Sequence, residues 1–147
     1  MRKITIGEKF KDIKGFRETC FGLYVKDEKI LVTYDKKHNQ YTFIGGGIDE
    51  GETKHETLRR EFLEEVGIKI KNIKHFITID CYWLAGGDYP MESLANFYTI
   101  DIDKYVDMET EGNYEFIDIN ELDLPLPYHK KALELFKEFL SKQKDWN

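Results

Sequence analysis

Carboxylate side chains are concentrated in one stretch of this sequence, directly after a run of glycines. The stretch Gly46–Ile68 reads GGIDEGETKHETLRREFLEEVGI. Its isolated glutamate, its arginine and its clustered carboxylates are Glu52, Arg60, Glu61, Glu64 and Glu65. Carboxylate and carbonyl oxygens are ligands that Mg²⁺ prefers, and glycine backbone can approach an ion or a phosphate closely because it lacks a Cβ atom. The stretch therefore predicts a site that holds a divalent cation against a phosphate group.

A helix must present these carboxylates. Thr53 and Glu56 have the spacing of a capping box, and Gly67 suits a left-handed C-terminal cap, so we expect the helix to begin after Thr53 and to end near Val66. At about 100° per residue, the apolar stripe of this helix consists of Leu58, Phe62 and Val66. The three clustered glutamates share the sector beside the stripe, where repulsion between like charges favours a bound cation. Taken alone, the cluster is also compatible with a solvated helix face.

The rest of the chain is predicted to form strands and one further helix. We expect strands at residues 17–25, 30–34, 41–44, 73–84, 93–102 and 114–119, with turns at glycines 45–47 and 86–87. A final amphipathic helix is expected at residues 129–142. This order predicts an α/β fold, in which a mixed central sheet is covered by helices on both faces within a single domain spanning residues 1–147.

The composition is that of an ordinary globular protein with an acidic balance. Of 147 residues, 41% are hydrophobic and 34% are charged, and the formal net charge is -6. An acidic chain has no general attraction for polyanions, so neither extended nucleic acid nor a membrane is an expected partner. Because we find no leader segment and no apolar run of about 18 residues, a cytoplasmic location is expected. Cys20 and Cys81 are expected to be buried, reduced thiols.

Two other types of ion or phosphate site are disfavoured. The acidic run Asp101, Asp103 and Asp107 lacks the glycine and the final glutamate that a Ca²⁺-binding loop needs at fixed spacing. The glycines 45–47 are not followed by a lysine and a serine or threonine, so they do not form a P-loop.

The spacing of the glycines and carboxylates resembles a known motif. The pattern Gly46-x5-Glu52-x7-Arg60-Glu61-Phe62-x-Glu64-Glu65-x-Gly67-Ile68 is similar to the Nudix box, G-x5-E-x7-R-E-U-x-E-E-x-G-U with U aliphatic. Phe62 takes an aliphatic position of the motif, from which we expect a packing adjustment. Ile44 stands where a proline is common, from which we expect a less rigid turn. The resemblance implies an α/β/α sandwich that hydrolyses a nucleoside diphosphate linked to another moiety.

The resemblance also implies roles for individual residues. The ligands of Mg²⁺ or Mn²⁺ would be Glu61, Glu64, Glu65 and the carbonyl of Gly45. Arg60 would orient a glutamate, and Glu52 would brace the loop or bind metal through water. Either Glu64 or Glu65 would accept the proton of the attacking water. Glu111 is the analogue of the later-loop carboxylate that serves as base in some members; the alternative is a solvated loop residue.

Substrate contacts outside the motif are less well specified. Arg17 is a candidate for phosphate binding, with a surface salt bridge as the alternative, and the backbone of Gly46 and Gly47 can approach a phosphate. Tyr128 and His129 open the last helix, a region that lines the base pocket in some relatives; a capping or surface role is the alternative for His129. Aromatic candidates for base stacking, with the core as alternative, are Tyr41, Tyr82, Trp83 and Tyr89.

The resemblance leaves several substrate classes open. The leading expectation is a nucleoside triphosphate, ordinary or oxidised; the others are nucleotide sugars, ADP-ribose and dinucleoside polyphosphates. Trp83 stands where many ADP-ribose hydrolases have proline, and Leu84–Gly86 contain no tyrosine of the dinucleoside-polyphosphate type. The expected partner is thus a nucleotide-type small molecule, and the protein would be a monomer or homodimer. A non-catalytic Nudix domain that senses nucleotides or binds a partner is the alternative to an enzyme.

Overall fold

The computed structural model describes residues 2–145, so residues 1, 146 and 147 of the predicted domain lie outside the described part. Nine strands and two helices are present in that part. They are β1 (Lys3–Ile6), β2 (Gly15–Leu23), β3 (Val25–Lys26), β4 (Lys29–Asp35), β5 (Gln40–Thr42), β6 (Ile44–Gly47), α1 (Lys54–Val66), β7 (Ile68–Ala85), β8 (Tyr89–Tyr105), β9 (Tyr114–Asp118) and α2 (Pro127–Asp145).

The strands form two sheets. The larger sheet has the order β1-β7-β8-β2-β6 and is mixed, because β1–β7 and β2–β8 are parallel pairs whereas β7–β8 and β2–β6 are antiparallel. In the smaller sheet, β4 pairs antiparallel with β3, β5 and β9. The chain thus passes between the two sheets several times, and each sheet pairs strands that are distant in sequence.

The helices cover opposite faces of the larger sheet. Successive residues of a strand point to opposite faces, and on β2 the buried Cys20 packs in the cluster with α1 whereas Phe21 packs in the cluster with α2. The α1 side contains the predicted stripe of Leu58, Phe62 and Val66. The α2 side contains Ala132, Leu133 and Phe136. The predicted α/β fold with a mixed sheet between helices is confirmed.

Helix α1 has the predicted ends. The Thr53 hydroxyl accepts the Glu56 N–H at 3.1 Å while the Glu56 carboxylate accepts the Thr53 N–H at 3.1 Å, and Gly67 follows with φ 67°. Helix α2 begins two residues earlier than predicted, at Pro127, because proline's fixed φ suits a first helical position. Within residues 2–145, no helix is both long and apolar enough to cross a membrane.

Three predicted features of the sheets were wrong or incomplete. The short strand β1 was missed because its pairing is with β7, where Lys3 lies opposite Thr78, and no local pattern marks such a distant partner. Strands β7 and β8 have 18 and 17 residues and extend past the predicted bounds; the added start of β7 alternates buried Ile68 and Ile70 with exposed lysines. Glycines 45–47, predicted to be a turn, belong to β6 and pair with β2.

Bare backbone explains why this glycine segment pairs so closely. A Cβ atom on Gly45, whose φ is 155°, would lie 1.9 Å from the carbonyl oxygen of Cys20. Ile44, at the proline position of the motif, is fully buried and pairs with Gly22. The expected flexible turn is therefore a paired strand that holds the start of the motif against β2.

Both thiols are buried and free, as predicted. Burial raises the pKa of Cys20 to about 12 and that of Cys81 to about 11. Both side chains therefore pack as small, protonated apolar groups.

Candidate active site

Arg60 organises the carboxylates around one guanidinium group. Its Nε donates to Glu52 at 2.7 Å, and one terminal nitrogen donates to Glu61 at 3.0 Å and to Glu64 at 3.2 Å. The other terminal nitrogen donates to the Gly47 carbonyl at 3.2 Å and lies 3.3 Å from the Asp49 carboxylate. Arginine has enough donors in a fixed plane for such a set, so one side chain ties helix α1 to the loop that precedes it.

Glu52 braces that loop. Besides binding Arg60, its carboxylate accepts the Asp49 N–H at 3.0 Å and the Thr57 hydroxyl at 2.9 Å. The hydrogen bond from Arg60 is the main reason that the pKa of Glu52 is lowered to about 2. Glu52 therefore stays ionised and fixes the entry into α1.

The neighbouring carboxylates differ in burial and partners. Glu61 lies against the glycine strand, since a Cβ on Gly46 would sit 2.6 Å from its Oε1. Glu65 accepts a backbone hydrogen bond from Gly45, which lowers its pKa, yet burial and the charges of Glu61 and Glu111 raise that pKa to about 7. Burial also raises the pKa of Glu61, against the opposing effect of Arg60. Negative charge thus gathers here beyond what the nearby protein groups neutralise.

Glu64 occupies a different position. Its side chain is 46% exposed, against 17% for Glu61, and one of its oxygens is bound by Arg60. The predicted common sector therefore divides into an inner part, with Glu61 and Glu65, and an outer part with Glu64.

Glu111 is brought to the same end of the molecule by the capping of α1. The Glu111 N–H donates to the carbonyl of Glu64 at 3.0 Å, and the Gly112 N–H donates to that of Glu65 at 2.9 Å. These bonds satisfy carbonyls that a helix C-terminus otherwise leaves unpaired. The charge of Glu111 acts on both Glu61 and Glu65.

The donor set fits a hydrated hard cation. Within residues 2–145, no three His, Cys, Asp or Glu side chains are arranged to enclose a metal ion by themselves. Mg²⁺, however, usually keeps several waters and takes one or two carboxylates together with substrate phosphate oxygens. The inner pair Glu61 and Glu65 offers only oxygen ligands, which suits that form of binding. The raised pKa values of both groups show that their negative charges are not fully neutralised by nearby protein groups.

The carboxylates open into a cleft of about 1250 Å³ that both sheets and α2 line. The predicted residues that line it are Arg17, Gly45, Gly46, Glu65, Glu111, Tyr128 and His129. The other predicted residues, Gly47, Glu52, Arg60, Glu61 and Glu64, are not among the residues that line it. Of the aromatic candidates, Tyr41 and Trp83 line the cleft. Tyr82 and Tyr89 are not among the lining residues. The Tyr82 hydroxyl donates a hydrogen bond to Glu92 at 3.2 Å, and the Tyr89 hydroxyl donates to the Lys14 carbonyl at 2.8 Å.

Arg17 provides a cation within the cleft. Among the described residues it forms no salt bridge, so nothing in that part of the chain supports the surface ion pair considered above. Its guanidinium lies beside Gly47, where an added Cβ would be 3.3 Å from a terminal nitrogen. Its charge also acts on Tyr128, whose pKa burial nevertheless raises.

His129 is a buried part of the cleft wall and neither a cap nor a surface residue. The ring is fully buried, 4.3 Å from the Phe21 ring centroid and 5.0 Å from that of Tyr128. Burial lowers its pKa to about 3, so the ring is neutral. Its Nδ1 accepts the Phe43 N–H at 3.4 Å, which assigns the ring proton to Nε2. Among the described residues, Nε2 has no hydrogen-bond partner.

One part of the lining was not predicted. Residues 34–38, at the end of β4 and in the loop that follows, line the cleft with a tyrosine, an aspartate, two lysines and a histidine. The available signal was a pair of lysines between two strands of an acidic chain, shortly before the glycine run.

Comparison with known proteins decides the family. A sequence model of the NUDIX domain matches residues 17–139, most of the chain. The chain belongs to the NUDIX domain family. Among solved structures, this Nudix chain resembles a MutT NUDIX hydrolase from Burkholderia pseudomallei with TM-score 0.66 and 22% identity, covering 81% of this chain and 96% of that one. It also resembles the E. coli ORF135 protein with TM-score 0.67 and 19% identity, covering 92% and 97%. These likenesses show a shared fold.

Curated relatives match a shorter segment. An RNA pyrophosphohydrolase of Pseudoalteromonas atlantica is 36% identical over 75 residues, which are 50% of this chain and 42% of the relative. An NAD-capped RNA hydrolase NudC of Vibrio cholerae is 40% identical over 76 residues, covering 50% and 28%. The Nudix chain thus spans less than half the length of these relatives.

Proposed function

We propose that this Nudix protein is a metal-dependent pyrophosphohydrolase. It cleaves a nucleoside diphosphate linked to another moiety, and its leading substrate class is a nucleoside triphosphate, ordinary or oxidised. One observation carries the proposal: Glu65, Glu111 and glycines 45 and 46 line a cleft whose lining also contains aromatic rings and Arg17. Within residues 2–145, Arg17 forms no salt bridge. Such a cleft suits a phosphate chain attached to a base.

The proposed cation is Mg²⁺ or Mn²⁺, held by Glu61, Glu64, Glu65 and the Gly45 carbonyl. When bound, it supplies Lewis-acid polarisation of phosphate oxygens and lowers the pKa of a bound water. Arg60 and Glu52 keep the carboxylates and the loop in place, as their hydrogen bonds support.

The proposed general base accepts a proton from the water that attacks phosphorus. Glu65 is the first choice because it lines the cleft. Glu64 is about half exposed, and one of its carboxylate oxygens accepts a hydrogen bond from Arg60. Glu111 lines the cleft as well and is the second choice. Arg17 is proposed to contact a phosphate, and Trp83 and Tyr128, whose ring centroids are 5.9 Å apart, to contact the base.

The 5′ end of an RNA is the second candidate substrate. It is favoured by the names of the curated relatives, RNA pyrophosphohydrolase and NAD-capped RNA hydrolase, together with the lysines that line the cleft. The net charge of -6 opposes binding to a long polyanion, so only the end of the RNA would be held.

A substrate panel with single-residue variants tests the proposal. Purified protein is incubated with nucleoside triphosphates, nucleotide sugars, ADP-ribose, dinucleoside polyphosphates and 5′-triphosphorylated RNA, each with Mg²⁺, with Mn²⁺ or with chelator, and products are separated by chromatography. We expect metal-dependent cleavage of an anhydride bond. A protein that binds nucleotides but releases no product with either metal is instead the non-catalytic domain considered above.

Glu65→Gln is expected to lower turnover by about 10²-fold or more, because an amide cannot take the proton. It should not lower the free energy of unfolding in metal-free buffer, since the amide removes a charge buried beside Glu61 and Glu111. Glu64→Gln is expected to lose activity through weakened metal binding. Wild-type turnover in both variants contradicts these assignments.

A further inference from the structure

The hairpin between β4 and β5 carries an ordered loop into the cleft. The Asp35 carboxylate accepts the N–H of Lys37 at 3.0 Å and that of His38 at 3.3 Å, and its second oxygen lies 2.7 Å from His38 Nδ1. The hydrogen bond with His38 is the main cause that lowers the pKa of Asp35. Tyr34 is hydrogen-bonded to Asn39, which has φ 54°. Side chain and backbone together therefore fix the loop 36–39.

This loop presents two lysines that have no ion-pair partner within residues 2–145. Lys36, Lys37 and His38 are exposed and line the cleft. In the described part of the chain, neither lysine forms a salt bridge. In a protein of net charge -6, two adjacent unpaired lysines on an ordered loop indicate an anionic ligand group at this position.

Aromatic rings accompany these cations. Tyr34 and Tyr41, opposite each other on β4 and β5, have ring centroids 5.1 Å apart and both line the cleft. They belong to the smaller sheet, whereas Trp83 lies on the larger sheet and packs with Tyr128 of α2. Among the described residues no ring contact joins the two pairs. The cleft thus has two separate aromatic surfaces, and only one is needed for a single base.

The size of the cleft agrees with two ligand groups. Its volume of about 1250 Å³ exceeds the roughly 300–1,000 Å³ of ordinary small-molecule pockets. The charge of Arg17 acts on Tyr128, and Lys36 and Lys37 follow Tyr34 in the same segment of the lining. Each aromatic surface thus has a cation in its own part of the chain.

We propose that the β4–β5 hairpin is a second nucleotide subsite. Lys36 and Lys37 contact the phosphate of a second nucleotide, and Tyr34 and Tyr41 contact its base or sugar. This inference rests on the proposed function, because it extends the same site from one nucleotide to two. The second nucleotide is joined either 5′–5′ through a polyphosphate or 3′–5′ through a phosphodiester, as at the end of an RNA.

The test compares three substrates that share one adenosine 5′-phosphate end. They are ATP, diadenosine tetraphosphate and the 5′-triphosphorylated dinucleotide pppApA. The variant is the double substitution Lys36→Ala/Lys37→Ala. The matched control is Lys71→Ala/Lys74→Ala, which removes the same charge from exposed positions of β7 outside the cleft.

We expect the hairpin variant to raise KM for at least one two-nucleotide substrate about tenfold more than for ATP, as loss of charge-assisted phosphate contacts predicts. The control should leave all three KM values as in wild type. The substrate that responds identifies the linkage, 5′–5′ or 3′–5′. Equal increases for all three substrates mean that the lysines serve the triphosphate itself, and no increase for any means no contact; either result overturns the inference.

Binding measurements separate this inference from the proposed function. Calorimetry without metal compares the Kd of the wild type and the hairpin variant for diadenosine tetraphosphate, pppApA and ATP. If the wild type cleaves no compound of the full substrate panel, the proposed function fails, while a selective loss of dinucleotide affinity in the variant still supports the second subsite. Identical Kd values for variant and wild type overturn it.

Discussion

Arg60 shows at the scale of one residue how the site is held together. Four carboxylates and one carbonyl surround its guanidinium, and they come from both the loop and the helix. The same contacts raise the pKa of Arg60 and lower that of Glu52, so both stay charged at any ordinary pH. The site therefore combines the ion pairs of Arg60 with a further carboxylate, Glu65, that Arg60 does not contact.

Arg60→Ala is expected to lower the free energy of unfolding by about 2 kcal/mol, because charge-assisted hydrogen bonds are lost and Glu52 and Glu61 lose their partner. Turnover should fall as well, since the loop is released from α1. The control is Arg59→Ala, which removes an exposed arginine from the adjacent position of the same helix. Urea unfolding and steady-state kinetics provide the measurements. Equal stability of the two variants would falsify this role.

Helix α1 and strand β2 are matched to each other at the scale of elements. Phe62, the aromatic residue at an aliphatic position of the motif, is fully buried. Its ring lies over Gly22, where an added Cβ would be 2.6 Å from two ring carbons. The expected packing adjustment is thus made by Gly22 on the facing strand. Because Gly22 has no side chain, α1 can pack closely on β2 with the larger Phe62 ring.

Gly22→Ala is expected to lower the free energy of unfolding by about 1–3 kcal/mol through overpacking. Phe62→Leu makes room for the new methyl group, so the double variant should be more stable than the sum of the two single changes predicts. Urea denaturation of all four proteins gives the coupling free energy. Strict additivity contradicts the proposed contact.

At the scale of the whole molecule, the cleft has a buried and neutral histidine in its wall. His129 belongs to α2, but its hydrogen bond comes from Phe43 and its ring neighbours include Phe21 and Phe97 of the larger sheet. A charge at this position would lack water and a counterion, which is why burial lowers the pKa to about 3. Protonation of His129 is therefore expected to destabilise this wall of the cleft.

The stability of the protein is expected to fall in acid partly through His129. Above pH 6.5 the ring is neutral in both folded and unfolded chains and adds no pH dependence. Below that value His129 becomes protonated in the unfolded chain, whereas in the folded protein it stays neutral down to about pH 3. The free energy of unfolding therefore falls by about 1.4 kcal/mol per pH unit.

His129→Asn, which keeps an acceptor near the Nδ1 position, removes this contribution. The stability difference, wild type minus variant, should shrink by about 2 kcal/mol between pH 6.5 and pH 5. Urea unfolding at several pH values measures it, and the carboxylates common to both proteins cancel. A difference that stays constant with pH shows that His129 takes up protons equally in both states.

Local spacing was sufficient to predict helix α1. The capping box at Thr53, the terminal glycine at position 67 and the buried stripe of Leu58, Phe62 and Val66 all depend on residues within a few positions of each other. The fold class was predicted from the order of strands and helices along the chain and from the resemblance of the motif, which also implied that Arg60 orients a glutamate. Strand β1 and the pairing of glycines 45–47 were not predictable, since their partners lie far away in the sequence.

The sequence by itself thus determined the helix, the carboxylates and the family to which they belong. Only the tertiary structure decided that Glu64 is half exposed whereas Glu65 lines the cleft. It also decided that His129 is buried and that Lys36 and Lys37 line the cleft. The physical reason is that burial and charge neighbours come from several elements at once. The elements that surround such a side chain lie far apart in the sequence, as when His129 of α2 packs against Phe21 of β2 and Phe97 of β8.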